Sequence, residues 1–183
     1  MNYYIADLHF GHKNIILYDR RPFSDVEEME REITDRWNRT VTRNDDVYVL
    51  GDFAYRQEKP VRDYVEALNG RIHLIYGNHD LRTDEYASAF YNTHDTLTIR
   101  DDYQGRKVSV TMCHYWMPFF AKSRRGGVML HGHTHIGEEH CQEVTLKEML
   151  LADNLAYHAY NVGCMFQDYT PWTLEQIIDA RNL

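Results

Sequence analysis

The chain has 183 residues, of which 43% are hydrophobic and 13% aromatic, so a largely disordered protein is excluded and a single domain over residues 1–183 is expected. Apolar runs such as VYVL (47–50) are far too short to span a bilayer, and MNYYIADLHF lacks the basic and apolar regions of a secretory signal, which predicts a cytoplasmic protein. A net charge of −8 argues against extensive nucleic-acid binding, though a small phosphate ester could still be held through bound cations.

The first strand is predicted at 2–6, running into DLHFGH. A helix follows from Ser24, with Ser24 and Glu27 as a capping box and Val26, Met29, Ile33 and Trp37 as its apolar stripe. VYVL reads as a strand buried on both faces and leads into Gly51-Asp52. A second helix over 60–69 is closed by Gly70, and the strand IHLIY (72–76) enters GNHD. This β-α-β-α-β order places a polar motif after each strand, where open α/β sheets bind ligands. The second half changes character. TLTIR (96–100) and KVSVTMC (107–113) alternate around DDYQG as an antiparallel hairpin ending at His114. VML (128–130) leads into HGHTH, and a strand near 157–162 ends in NVGC. Segment 145–153 is helical by composition, and a last helix begins at Thr173 with Gln176 as its capping partner. Two mixed β-sheets packed face to face and flanked by helices, an α/β fold of four layers, account for this order.

The chemistry lies in the strand ends. Asp7 and His9 are two apart, as are His133 and His135, so each pair shares a face on extended chain. Carboxylate and imidazole together suit a hard-to-borderline divalent metal. Asp52 alone could be a helix cap, and Asn78 or Asp80 could cap as well, but neither role explains His79. Five such segments, each following an apolar strand, are hard to read as solvated loops. The cysteines, Cys113, Cys141 and Cys164, form no CxxC pair; a reduced compartment suits them, and all three read as small buried apolar residues.

In order, DLH, GD, GNHD, H and GHTH resemble the five motif blocks of the calcineurin-like metallophosphoesterase superfamily, with no departure from Asp7 to His135. Within it, DLHFGH, NII, RPF and YNVGC resemble a small bacterial and phage group of uncapped single-domain members. The resemblance implies two divalent metals, with Mn the leading choice and Fe, Zn, Ni or Co as alternatives. It implies Asp7, His9 and His135 on one metal, Asn78, His114 and His133 on the other, and Asp52 bridging. It also implies that His79 faces the leaving group and that Asp80 orients the His79 ring.

The expected reaction is hydrolysis of a small phosphodiester or phosphomonoester, such as a nucleotide or cyclic nucleotide, by metal-activated hydroxide. Magnitudes favour metals: accelerations of phosphate-ester hydrolysis reach about 10²¹-fold, whereas one general acid supplies roughly 10²–10⁴. A nuclease, and a non-catalytic scaffold on the same fold, are the alternatives. Arg21, Arg124 and Arg125 are candidate substrate contacts, with Lys122 in the same basic loop as the last two. His12 is a candidate support for the ligands and His131 a structural residue. Tyr115, Trp116, Phe119 and Phe120 could stack a base but read more simply as core, and the oligomeric state stays open.

Overall fold

In the computed structural model, which describes residues 1–181, alternate residues of β1 (Asn2–Ile5) enter two different cores. Tyr3 and Ile5 pack with Val47, Val49 and Leu74 beneath a helical layer. Tyr4 and Ala6 pack with Leu50, Ile75, Met112 and Leu130 between the two sheets. This is the two-residue period of a strand buried on both faces.

The first sheet runs β1-β2-β3-β4, with β2 at Asp46–Val49, β3 at Arg71–Ile75 and β4 at Asn92–His94. It is wholly parallel rather than mixed, because the three-residue β4, unforeseen from the sequence, joins β3 in parallel. The second sheet runs β5-β6-β7-β8, with β5 at Thr96–Tyr103, β6 at Arg106–Cys113, β7 at Val128–His131 and β8 at His158–Asn161. Its β5–β6 hairpin is antiparallel and the other pairings are parallel. The sheets are tied where Ala6 N donates to Val162 O (2.8 Å) and Cys164 N donates to Ala6 O (2.8 Å). That clasp brings the end of β1 beside the chain leaving β8.

Helix α1 is a single turn, Ile15–Tyr18, and α2 spans Val26–Thr40. The stripe of Val26, Met29, Ile33 and Trp37 is buried as predicted, and Trp37 Nε1 donates to Asn69 O at 2.8 Å. Its cap lies one residue later than expected. Asp25 Oδ1 accepts from Glu28 N at 2.7 Å, and Ser24 N donates to Glu28 Oε2 at 2.6 Å. Glu28 thus takes the place expected of Glu27, but it reaches back to Ser24, one residue before the cap, rather than to the cap residue's own N–H. Helix α3 covers Val61–Ala67 and α4 is the single turn Asp84–Ala87.

Helix α5 spans Glu138–Asp153, so it starts well before the predicted 145–153. Its one buried residue is Glu143, and Leu146, Met149 and Cys141 are exposed. Cys141 is thus not a core residue; Cys164 is fully buried and Cys113 half-buried, and all three are free thiols. Helix α6 (Leu174–Arg181) has the predicted cap: Thr173 N donates to Gln176 Oε1 (2.9 Å) and Gln176 N to Thr173 Oγ1 (3.3 Å). Among the described residues no helix is long and apolar enough to cross a membrane.

Candidate metal centre

Beyond β1 and β2 the two chains continue side by side, with Asp7 N donating to Gly51 O (3.1 Å) and His9 N to Asp52 O (2.9 Å). This pairing puts the DLH and GD motifs together. β3 delivers GNHD from the neighbouring position, while His114 and the HGHTH loop arrive from the second sheet. Asp7, His9, Asp52 and His135 each bring one ligand atom to within 4.8 Å of the others. His9 Nε2 lies 3.5 Å from Asp52 Oδ2 and 3.4 Å from His135 Nε2. On the other side of Asp52, His114 Nε2 stands 3.6 Å from Oδ2 and 3.0 Å from Asn78 Oδ1. The His133 ring is 5.1 Å from that of His114, centroid to centroid, and its backbone N–H donates to both oxygens of Asp7. All seven residues named from the sequence are gathered here, the first four in the tightest group.

The donor set fits a divalent metal. His114 Nδ1 bonds to the Leu50 carbonyl (2.8 Å) and His135 Nδ1 to the Asp19 carboxylate (2.8 Å), so both rings turn Nε2 inward, the nitrogen that carries the lone pair when such a ring is neutral. There they meet other acceptors: the carboxylates of Asp7 and Asp52 and the amide oxygen of Asn78. Only a cation or added protons would make that arrangement favourable. Burial holds His9 well below the usual histidine range, with Arg21 adding to the effect, which keeps its ring neutral as a ligand must be. Burial also lifts Asp52 to about 6, with Asp7 adding to the rise and His114 opposing it.

Five of the seven residues have left-handed backbone: Asp7 (φ 58°), His9 (55°), Asp52 (53°), His133 (77°) and His135 (43°). Such angles are uncommon outside glycine and are held by surrounding bonds. Glycines make room for the ligands. A Cβ on Gly77 would lie 2.2 Å from Asp52 Oδ1, and one on Gly51 (φ 88°) would lie 2.3 Å from His114 Nδ1. The G in GD and in GNHD is therefore required by close approach.

His79 borders the group, its Nε2 3.9 Å from Asp52 Oδ2 and its side chain one-third exposed. Asp80 does not orient its ring. The carboxylate of Asp80 accepts from Gly77 N (2.7 Å), Asp52 N (2.8 Å), Phe53 N (3.0 Å) and Tyr86 OH (2.8 Å). It clamps the two motif turns together, and the His79 ring packs on Tyr55 instead, 4.2 Å between centroids.

Arg21, expected at the rim, is buried under the site. It donates to the carbonyls of Asp7 and Leu8, 2.8 Å each, and to Asp19 Oδ2 at 2.9 Å. Burial would raise the Asp19 carboxyl, but hydrogen bonds and charge from His135 and Arg21 outweigh this and hold it below the usual range. Arg21–Asp19–His135 thus forms a chain that orients the His135 ring toward the Asp and His group. Arg124 and Arg125 do not line the cleft over the metal residues; Arg124 borders a separate hollow with Phe119, Leu150 and Asp153. Lys122 and Arg125 turn back on each other through a 2.8 Å backbone bond. Tyr115 and Phe119 are exposed rather than core, and Tyr115 packs on His133 at 4.6 Å. His12 sits 5.4 Å from the His9 ring, and His131 is fully buried.

Two supports had no local signal in the sequence. Asp19 acts on a residue 116 positions away. Glu143 of α5 accepts from Thr134 Oγ1 at 2.6 Å, inside HGHTH, and also pairs with Lys147 and with His131 Nε2 (3.1 Å). Burial raises the Glu143 carboxyl, yet the hydrogen bond and charge of His131, with Lys147, bring it down to about 2. A carboxylate depressed in this way stabilises the fold fully above its unfolded value, and that stability is lost as pH falls from about 4.5 to about 2. Glu143→Gln is expected to cost a few kcal/mol at pH 7 and to flatten the decline in urea midpoint below pH 4.5. Parallel declines for the two proteins would refute the assignment.

Residues 3–152 match the family model of the calcineurin-like phosphoesterase superfamily domain. An uncharacterized protein of Methanocaldococcus jannaschii is 33% identical over 178 residues, covering 96% of this chain and 88% of that protein. The gene 66 protein of Mycobacterium phage L5 is 33% identical over 81 residues, 43% of this chain and 39% of that one. The crystal structure of a protein of unknown function from Aquifex aeolicus has the same fold, at TM-score 0.65 and 23% identity, covering 93% of this chain and 94% of that one. The matched span contains every strand end that contributes to the Asp, Asn and His group, and so the chain belongs to the calcineurin-like phosphoesterase superfamily.

Proposed function

We propose that this protein is a dinuclear metal-dependent phosphoesterase hydrolysing a phosphodiester or phosphomonoester of a small molecule. The observation that carries this reading is the convergence of Asp7, His9, Asp52 and His135, with Asn78 and His114 meeting the far side of Asp52. Asp7, His9 and His135 would hold one cation, Asn78, His114 and His133 the other, and Asp52 both. Divalent cations, when bound, supply an activated water and neutralise charge on the phosphate. Manganese is the leading candidate, and iron, zinc, nickel and cobalt suit the same oxygen and imidazole donors.

His79 lies outside the metal set but lines the cleft, where it can give a proton to the departing oxygen. The cleft, about 570 Å³, is flanked by Glu138 and Glu139. Those carboxylates and the net charge of −8 favour a small ester over a polyanion strand. A nuclease is the second reading, and steep salt dependence of cleavage would favour it. The cytoplasm is the proposed location, in keeping with three free thiols.

The test is an assay of chelated and metal-reconstituted protein against bis(p-nitrophenyl) phosphate and p-nitrophenyl phosphate. Activity absent after chelation and restored by Mn, Fe, Zn, Ni or Co is expected. Inactivity with every metal on a wide ester panel would leave a non-catalytic scaffold as the better reading.

A further inference from the structure

We propose that the cleft beside the metal centre is a nucleobase subsite, so that the ester hydrolysed carries a nucleoside. This deepens the phosphoesterase reading and rests on it. A path of rings leads outward from the metal residues. His79 and Tyr55 lie 4.2 Å apart between centroids, Tyr55 and His12 4.8 Å, and His12 and Tyr18 6.2 Å. All four line the cleft. The path begins at the side chain placed to serve the leaving oxygen, so a ring carried by the leaving group would lie along it.

The outer end of that path is an exposed ring. Tyr18, which lines the cleft, is 68% exposed, on a one-turn helix anchored by the buried Ile15. An exposed ring at the end of a row of rings offers a face on which a base can stack. The Arg56 guanidinium lies 5.1 Å from the Tyr55 ring centre and also borders the cleft, adding a cation to the stacking surface.

Asn14 supplies a polar reader. It stands just before α1 with helical backbone (φ −73°, ψ −17°), outside the extended geometry from which an asparagine caps a helix, so its carboxamide is not turned to the helix N–H groups. It makes no side-chain cap bond, and it lines the cleft. A carboxamide beside stacking rings can donate to and accept from one base edge, as in adenine recognition. A bare sugar phosphate would use neither the rings nor this pairing. Glu138 and Glu139 on the cleft wall disfavour further phosphates, which selects a single nucleotide unit over a strand.

The experiment is equilibrium dialysis of the manganese-loaded full chain against the non-hydrolysable 5′-phosphonates of adenosine and of ribose. The adenosine compound should bind at least about tenfold more tightly, since stacking of one base is worth roughly 5- to 100-fold. Tyr18→Ala should weaken the adenosine compound about tenfold and leave the ribose compound unchanged; Asn14→Ala should weaken it by a smaller factor of about three to five. Equal binding of the two compounds by the wild type, or equal loss of both in Tyr18→Ala, would overturn the subsite. Hydrolysis of bis(p-nitrophenyl) phosphate is measured on the same samples. Hydrolysis without base preference overturns the subsite and leaves the phosphoesterase reading standing; base preference without hydrolysis of any ester on the panel keeps a base-binding cleft but overturns the phosphoesterase reading and with it the claim that a nucleoside ester is hydrolysed.

Discussion

The Asp52→Ala protein is expected to lose both metals and at least about 10⁴-fold in kcat/KM, given that metal activation of water is worth up to roughly 12 kcal/mol. Asp52 stands between His9 on one side of the centre and His114 on the other. Its Oδ2 lies 3.5 Å from His9 and 3.6 Å from His114, and its Oδ1 accepts the backbone N–H of His79 at 2.9 Å. On the proposed assignment, alanine removes a ligand to both ions and the acceptor that holds the backbone of His79. Metal content of the dialysed variant is the readout, and full occupancy would sink the bridging assignment. Misfolding is controlled for by melting. A single cooperative melting transition, as for chelated wild type, is the expected sign that the variant is folded.

His79→Ala separates chemistry from metal binding. The side chain is one-third exposed, stands 3.9 Å from Asp52 Oδ2, and is held by Tyr55 rather than by Asp80. Both metals should remain, and kcat should fall roughly 10²- to 10⁴-fold. If the lost function is proton donation, esters with good leaving groups suffer least. The deficit should be small for p-nitrophenyl esters and large for alkyl esters. An equal deficit for both would move His79 from proton donor to phosphate contact.

The strand ends were legible because parallel strands buried on both faces are continuous apolar runs, and each stops abruptly at a polar motif. VYVL before Gly51-Asp52 and VML before HGHTH needed no partner information. Three features were not legible for definable reasons. Helix α5 buries one glutamate and no apolar residue, so its first turns, EEHCQEV, carry no periodic stripe. The family resemblance implied that Asp80 orients the His79 ring, yet its carboxylate turns the other way, onto the backbone of Gly77, Asp52 and Phe53. Arg21 looked like an exposed arginine in DRRPF, and only the three-dimensional route of the chain buries it against the Asp7 and Leu8 carbonyls. Asp19 and Glu143 act on HGHTH from far along the chain, and no short motif could announce that.

The left-handed kinks at Asp7, His9, Asp52, His133 and His135 bear on how such a protein decays and how it could be built. A left-handed residue with a side chain is about 1–2 kcal/mol worse than glycine in the same conformation. While metals bind, ligand chemistry outweighs that difference. Once a lineage stops binding metal, drift under selection for stability alone runs toward glycine at these five sites, not toward alanine. Inactive descendants should be recognisable by GxG where DLH and HTH once stood. A designer transplanting the centre faces the converse constraint: the ligands cannot be laid on straight strands, and the host backbone must already turn left-handed where each one is needed.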